Sequence, residues 1–373
     1  MKKQGELYFL FFLIVLTIIS CKAQNMDEKF DWSGKLSAPE EYPIEVVQGE
    51  ISGEGYGQSF GHFGIHTPGW GSGGRTVGAG PDTKHLPDYL GITWISFAEK
   101  KVYSGQFTLP KDKILALFKK GFPDITDTSK TSTYNTFVVG LAPKGHISLW
   151  VGEGSGNQVE VATFKAEEAH IDTAKVLEED KYMFTKKYVD YVLQDTMIVK
   201  PEIQEKIKQH GYPNPSIYLV DYRKKYNWQP RFVLPNGFKV KNWWAMMCNG
   251  EREYIPVGSN SLPLAERALP YFINLKFEDW HGNKYESFMV LTGDQGYLRK
   301  YFDDGDSKEI PLDFEGGEVE QLFGALPDKN SPIELIIEID PQKKAVIISL
   351  EQGNIKKQIE KVHYHINNYG SEY

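Results

Sequence analysis

Cysteine is nearly missing from this 373-residue chain, which holds Cys21 and Cys248 and no other. No disulfide framework is expected, so the fold has to rest on packing. Excess positive charge is missing as well: 42 Lys and Arg stand against 50 Asp and Glu, a net charge of −8. Nucleic-acid binding needs concentrated Lys and Arg, which excludes nucleic acid as a partner. After Ile19 no long apolar run recurs, so no second membrane segment is expected. Nucleotide binding is unsupported, since no Walker-type G-K-[ST] and no G-x-G-x-x-G following a strand is read. Apolar material is ample, at 40% hydrophobic and 13% aromatic residues, enough to bury real cores.

The chain opens MKKQGELYFLFFLIVLTIISC. Lys2 and Lys3 make a basic start, Leu7 to Ile19 an apolar run broken by Tyr8 and Thr17, and Ser20 precedes Cys21. A spanning helix takes about 20 apolar residues; this shorter run fits the core of a signal peptide. Ile18-Ile19-Ser20-Cys21 resembles a bacterial lipobox, whose cysteine becomes the first mature residue and carries acyl chains. Residues 1–20 are therefore read as a signal peptide, Cys21 as the lipid attachment point and 21–29 as a spacer. Two or more acyl chains hold a protein stably on a bilayer. The expected location is the cell envelope, at the outer membrane facing the periplasm. Cys248, within the apolar NWWAMMCNG, reads as a small packed hydrophobe.

From Phe30 the pattern is mostly period two. ITWISF sets Ile92, Trp94 and Ser96 against Thr93, Ile95 and Phe97, and VYSGQFTL, HISLWV and VEVATF alternate likewise, while FVVGLA reads as a strand buried on both faces. PKDKILALFKKGF predicts a helix that starts at Pro110 and ends at Gly121. Helical spacing then dominates, with TKKYVDYVLQDT and KPEIQEKIKQHG as segments and Pro201 and Gly211 as start and stop. After it the opening themes return. Phe30-Asp31-Trp32 is echoed by Tyr226-Asn227-Trp228. The hairpin from Ile95 and its following amphipathic segment are echoed from Leu275 to Phe302, and FVVGLAPKGHISLWV by ELIIEIDPQKKAVIISL. The expected fold is mainly β with a helical connector (α+β): antiparallel β-rich, sandwich-like domains at 30–166 and 226–373, related by internal duplication and joined by a connector at 167–225.

GITWISFAEKKVYSGQFTLPKDKILALFKKG, VVGLAPKGHISLWVGEGSGNQVEVATFKAEE and YRKKYNWQPRF, with FDWSGKLSAPEEYPIEVV and PGWGSGG before them, resemble the DUF2931 family of bacterial lipoproteins. The resemblance runs in order through the mature chain and weakens after about Trp244. The family's function is unassigned, so the resemblance lends no catalytic residue. Its members are similar to proteins encoded beside lipase-like effectors of the type VI secretion system. That implies an immunity-type inhibitor whose partner is a secreted effector protein.

Residues that carry chemistry are sparse. Gly152 to Gly156 has glycines around Ser155 but is not G-x-S-x-G, so it reads as a hairpin turn rather than a nucleophile elbow. His62, His66, Asp82 and His85 lie among glycines and a proline, which gives zinc no rigid frame. His363 and His365 read as a solvated strand edge, and Asp303-Asp304-Gly305-Asp306 as a turn without the spacing of a calcium loop. Adjacent carboxylates such as Glu167-Glu168 diverge and form no acid/base pair. No catalytic residue, cofactor or metal is expected. Eleven glycines between Gly53 and Gly80 exclude a well-packed helix or regular strand there. Long loops are often functional or disordered: the span reads either as a surface loop pinned by Trp70 or as a loop that docks on a partner, with Tyr56, Phe60, Phe63 and Trp70 as the candidate partner contacts because aromatics dominate interface hot spots. The expected function is that of a non-enzymatic envelope lipoprotein acting through protein binding. The alternative is an envelope binding module for a glycan or other small ligand, using clustered tryptophans such as Trp243 and Trp244.

Overall fold

The computed structural model describes residues 28–61, 64–74, 80–124, 127, 129–154, 156–174, 176–255, 263–291, 300–303, 306–309, 318–328 and 331–368. Alternating segments of the first half are strands: Ser33–Ser37 (β1), Ile44–Gly53 (β2), Tyr56–Ser59 (β3), Tyr89–Ser96 (β4), Lys101–Thr108 (β5), Thr136–Ala142 (β6), His146–Gly152 (β7) and Gln158–Lys165 (β8). They pair in the orders β1-β6-β7-β8 and β3-β2-β4-β5, with β1 parallel to β6 and the other neighbours antiparallel. The pleat sends Leu90, Ile92 and Trp94 to meet Phe137, Val139, Ile147 and Leu149 in one core. Helix Lys111–Lys120 (α1) adds Ile114 and Phe118 to that core and ends at Gly121, as its periodicity predicts.

The connector is helical as read: Lys186–Gln194 (α2), Pro201–His210 (α3) and Ser216–Leu219 (α4). Thr185 caps α2 by accepting from the Tyr188 amide, and Pro201 opens α3. Three buried carboxylates of the first half hold this connector. Glu40 accepts from Lys200 at 2.9 Å, Glu41 from the Tyr218 hydroxyl at 3.3 Å and Glu45 from the Tyr188 hydroxyl at 2.9 Å. Tyr42, among them, donates to the Pro213 carbonyl. Burial, then the nearby Glu99 and Glu41 carboxylates, pushes the Tyr42 hydroxyl well above its ordinary pKa, so it stays a donor.

The second half contributes Lys225–Val233 (β9), Lys239–Met247 (β10), Arg252–Ile255 (β11), Ala265–Ala268 (β12), Pro270–Glu278 (β13), Lys284–Val290 (β14), Ile333–Asp340 (β15), Ala345–Gln352 (β16), Ile355–Ile359 (β17) and His363–Asn368 (β18), with helix Glu318–Gly324 (α5). The sheet orders are β12-β9-β15-β16-β17 and β11-β10-β13-β14-β18, and β9 runs parallel to β15. Trp228, Trp243, Leu275, Phe323 and Ile337 lie in its core. Most of the amphipathic segment of the echo, residues 292–299, lies outside the described residues; Lys300–Asp303 at its end is a strand paired with Asp306–Glu309, and α5 comes later.

The halves are also joined more closely than by helices alone. β8 meets β11 at Gln158 and Arg252, which fuses β1-β6-β7-β8 and β11-β10-β13-β14-β18 into a nine-stranded sheet. The Gln158 amide donates to the Gly71 carbonyl at 2.7 Å and to that of Gly250 at 2.5 Å. A side chain at Gly71, where φ is +74°, would place its Cβ 2.4 Å from the Gly250 Cα. Gly64 has the same φ of +74° with open space around it. Gly64→Ala should therefore cost only the left-handed backbone penalty of about 1–2 kcal/mol. Gly71→Ala adds a backbone collision of about 1–3 kcal/mol. Urea midpoints of the two variants should separate clearly, and equal midpoints would mean that the seam opens freely.

Candidate functional site

The outer face of the β3-β2-β4-β5 sheet carries a cleft of 380 Å³. Its origin is local. A bulge between Val46 and Gln48 takes Val47 out of register and bends β2. In the middle of β4, Gly91 leaves the sheet bare, and the Tyr89 side chain fills the room a Cβ would need: the hydroxyl lies 2.6 Å from that point. Cross-strand pairing then sets two polar rows on this face, Gln48–Thr93–Ser104 and Glu50–Gly91–Gln106. Thr93 and Ser104 share a hydrogen bond of 2.8 Å, and Ser59, paired across from Glu50, completes the wall. Among the described residues Glu50 is the one carboxylate of the lining, and no Lys, Arg or His joins it. The site therefore offers hydroxyls, amides and one ring edge with little charge. Such a set can orient hydroxyl groups, and among the described residues it has no second carboxylate or imidazole to share acid/base work.

A motif missed in the sequence reading sits at this cleft. Gly57-Gln58-Ser59-Phe60-Gly61 is G-x-S-x-G, the pattern of a nucleophile elbow that Gly152–Gly156 lacks. An elbow needs a strand running into a helix. Here Tyr56–Ser59 is the return strand of a hairpin with β2, and Ile65–His66 is again extended and paired with β2. The Ser59 hydroxyl accepts from the Gly61 amide at 3.2 Å. The described lining residues supply it with no histidine, and their one carboxylate, Glu50, is its cross-strand neighbour with no third group to orient the pair.

The expected contact aromatics are placed otherwise. Phe60 is fully buried, its ring 2.8 Å from where a Cβ of Gly34 would stand. Trp70 is buried against Trp150, with ring centroids 4.9 Å apart, and against Tyr218 at 5.5 Å. Tyr56 is half-buried, edge-on to Trp32 at 5.5 Å, with the Lys84 ammonium 5.0 Å from its ring. Phe63 lies outside the described residues, as do Cys21 and the signal segment. The expectation that Phe60 and Trp70 meet a partner is thus corrected: the loop's glycines let its rings turn inward and cover sheet edges. The tryptophan pair is corrected too, since Trp243 is fully buried and Trp244 packs on Phe272 at 4.8 Å. Cys248 is buried, as expected.

Among the described residues no cluster of His, Cys, Asp and Glu could hold a metal. His66 is buried, while His62 lies outside the described residues. His363 is exposed on the edge strand β18, whereas its neighbour His365 is buried and bonded to Asn367. His146 and Ser148 form a hydrogen bond of 3.1 Å on β7, both buried under the connector side of the sheet. Burial, then Arg223 and Lys165, lowers the His146 pKa to about 4, so the ring is neutral at pH 7. An unfolded His titrates near 6.5. Between those values the unfolded chain binds a proton that the folded chain does not. Stability should therefore be full above pH ~6.5 and decline by up to about 3 kcal/mol as pH falls toward 4. His146→Gln should flatten that part of the slope in urea unfolding at pH 7 and pH 4.5; an unchanged slope would refute the assignment.

A family model described as a protein of unknown function, DUF2931, matches residues 20–214. The match takes in the cleft, the glycine-rich loop and the connector through α3, and stops before β9. No curated protein and no solved structure matches the chain. With more than half of its 373 residues matched, the chain belongs to the DUF2931 family.

Proposed function

We propose that this chain is a non-catalytic envelope protein, held to the outer membrane on its periplasmic side by acylated Cys21, that binds a short neutral glycan. The observation that carries the reading is the Gly91 cleft: polar rows from three strands, an aromatic ring laid along the floor and a single carboxylate. Ligand sites combine a shaped concavity with a few placed polar groups, and neutral sugars need hydroxyl-matching partners without strong charge. Glu28 follows Cys21 by seven residues, a reach of about 25 Å at most.

The halves are read as copies of one duplicated unit. In each, the first strand runs parallel to the opening strand of a later hairpin, β1 to β6 and β9 to β15. In each, a second sheet follows the same course, β3-β2-β4-β5 against β11-β10-β13-β14. Such agreement in order, with loops of different length, supports common descent of the halves.

A panel of neutral tetrasaccharides of glucose, mannose and N-acetylglucosamine, titrated against the mature chain, tests the cleft. One of them should bind saturably, and Gly91→Val should weaken it at least ten-fold by displacing Tyr89. Cys21→Ala should leave binding intact while moving the protein out of the membrane fraction. Loss of neither membrane retention nor acyl label in that variant would sink the tether, and a silent panel would sink the glycan.

A second reading keeps the protein-binding role implied by family resemblance, an immunity-type inhibitor of a secreted lipase effector. It is favoured by the connector, where Leu177, Tyr182, Tyr191 and Met197 are exposed. Tyr182 and Tyr191 flank Tyr188 at centroid distances of 4.8 and 6.1 Å, a cluster of the kind that anchors interfaces. Tyr182→Ala with Tyr191→Ala should then abolish protection against the effector without changing glycan binding; full protection would discard this surface.

A further inference from the structure

A second pocket, of 270 Å³, opens at the far end of the same sheet, between the β4–β5 turn and the first turns of α2. Its walls are apolar: Ile95, Val102, Met183, Phe184 and Val189. Its mouth is cationic, with Lys100, Lys101 and Lys186 around it and Asp190 as the opposing charge. Two of these ammonium groups are engaged, Lys101 by Glu168 at 2.6 Å and Lys186 by Asp190. Lys100 has no carboxylate partner among the described residues, and its left-handed backbone, with φ of 54°, fixes it at the tip of the turn.

We infer that this pocket binds a single-chain amphiphile with a carboxylate head, a medium-chain fatty acid. Apolar walls call for a hydrocarbon chain, and the cationic mouth calls for an anion at its end. Size sets the scale: with groups of roughly a water molecule's 30 Å³, a solvent-facing space of 270 Å³ suits a chain of about ten carbons or fewer. Charge placement on α2 points the same way. Lys186 begins the helix, Lys187 follows, and no acidic residue lies in the first turn. Cations there oppose the helix dipole, and an anion held among the lysines relieves that opposition. A neutral lipid would leave Lys100 uncompensated, and a hydrophilic anion would leave the walls wet. The inference is independent of the glycan reading, because the two clefts share no lining residue.

The experiment is calorimetric titration of the complete mature chain, made soluble by Cys21→Ala, with decanoate, decanol, decylamine and inorganic phosphate. Decanoate should bind saturably at one site per chain, decanol at least ten-fold more weakly, and decylamine and phosphate without measurable saturation. Lys100→Asn combined with Lys186→Gln should weaken decanoate ten-fold or more and leave decanol unchanged. Asn accepts the left-handed backbone, and both positions are exposed, so this variant tests the mouth without disturbing the core. Val189→Trp should fill the pocket and abolish binding of both chains. Equal affinity for decanoate and decanol would overturn the carboxylate, and phosphate binding as tightly as decanoate would overturn the apolar body. Decanoate affinity unaffected by the lysine pair would overturn the site itself, while the tetrasaccharide titration stands or falls separately.

Discussion

The architecture depends on one close approach of backbone to backbone, Gly71 against Gly250. It is possible because neither residue has a side chain, and both hold positive φ. Around it the Gln158 amide ties two carbonyls from different halves, the Arg252 guanidinium adds a bond to Gly71 at 3.1 Å, and the Trp150 indole donates to the Asn249 carbonyl at 3.1 Å. Polar groups buried in a seam are stabilising only when each finds a partner. Here the main chain supplies most of the partners, so a single residue pair between β8 and β11 suffices to continue the sheet.

The same logic governs the connector. Glu40, Glu41 and Glu45 are buried, which is costly for a carboxylate unless it is paired and hydrogen-bonded. Each receives a bond from a different part of the connector, near α3, α4 and α2 in turn. A buried carboxylate matched to a donor of the connector disfavours other placements of that helix. The APEEYPIE segment thereby works as a docking template, with Tyr42 as its apolar centre. That arrangement also holds α2 over the end of β4 and β5, and so forms the lysine-rimmed pocket.

One sheet thus presents surfaces of opposite character. Near its middle, Gly91 and the β2 bulge make a polar concavity. At its end, Ile95 and Val102 are roofed by Met183, Phe184 and Val189. The alternation of β4 explains both. Thr93 and Ile95 project to the same outer face, and the first meets hydroxyls on β5 while the second meets a helix. Among the described residues neither surface sets a nucleophile beside a histidine, and the polar one has Glu50 as its single carboxylate. The His146–Ser148 pair, which has that composition, is packed in the interior and is neutral for reasons of burial.

Strand and helix positions were legible in the sequence because they follow from local period: the alternation of β4 and β5, the stripe of α1, and the Pro201 and Gly211 signals of α3. Double-sided burial of FVVGLA was legible too, since Val138 and Ala142 are as apolar as Phe137 and Val139. The direction of the loop rings was not. Tyr56, Phe60 and Trp70 have the same composition whether they face a partner or the core, and only the surfaces of Gly34, Trp150 and Tyr218 decide that they turn inward. The clefts were equally hidden. Gln48, Gly91 and Gln106 become a site through pairing across three strands, and Lys100 and Lys186 by lining one pocket from 86 residues apart in the chain. Sequence by itself determined most strands and helices, because those depend on neighbours along the chain; the exception is Tyr56–Ser59, which pairs as a strand although the glycines around it argue against one. Tertiary structure alone decided which faces are covered and which polar groups converge, because those depend on residues that meet only after the sheets have closed.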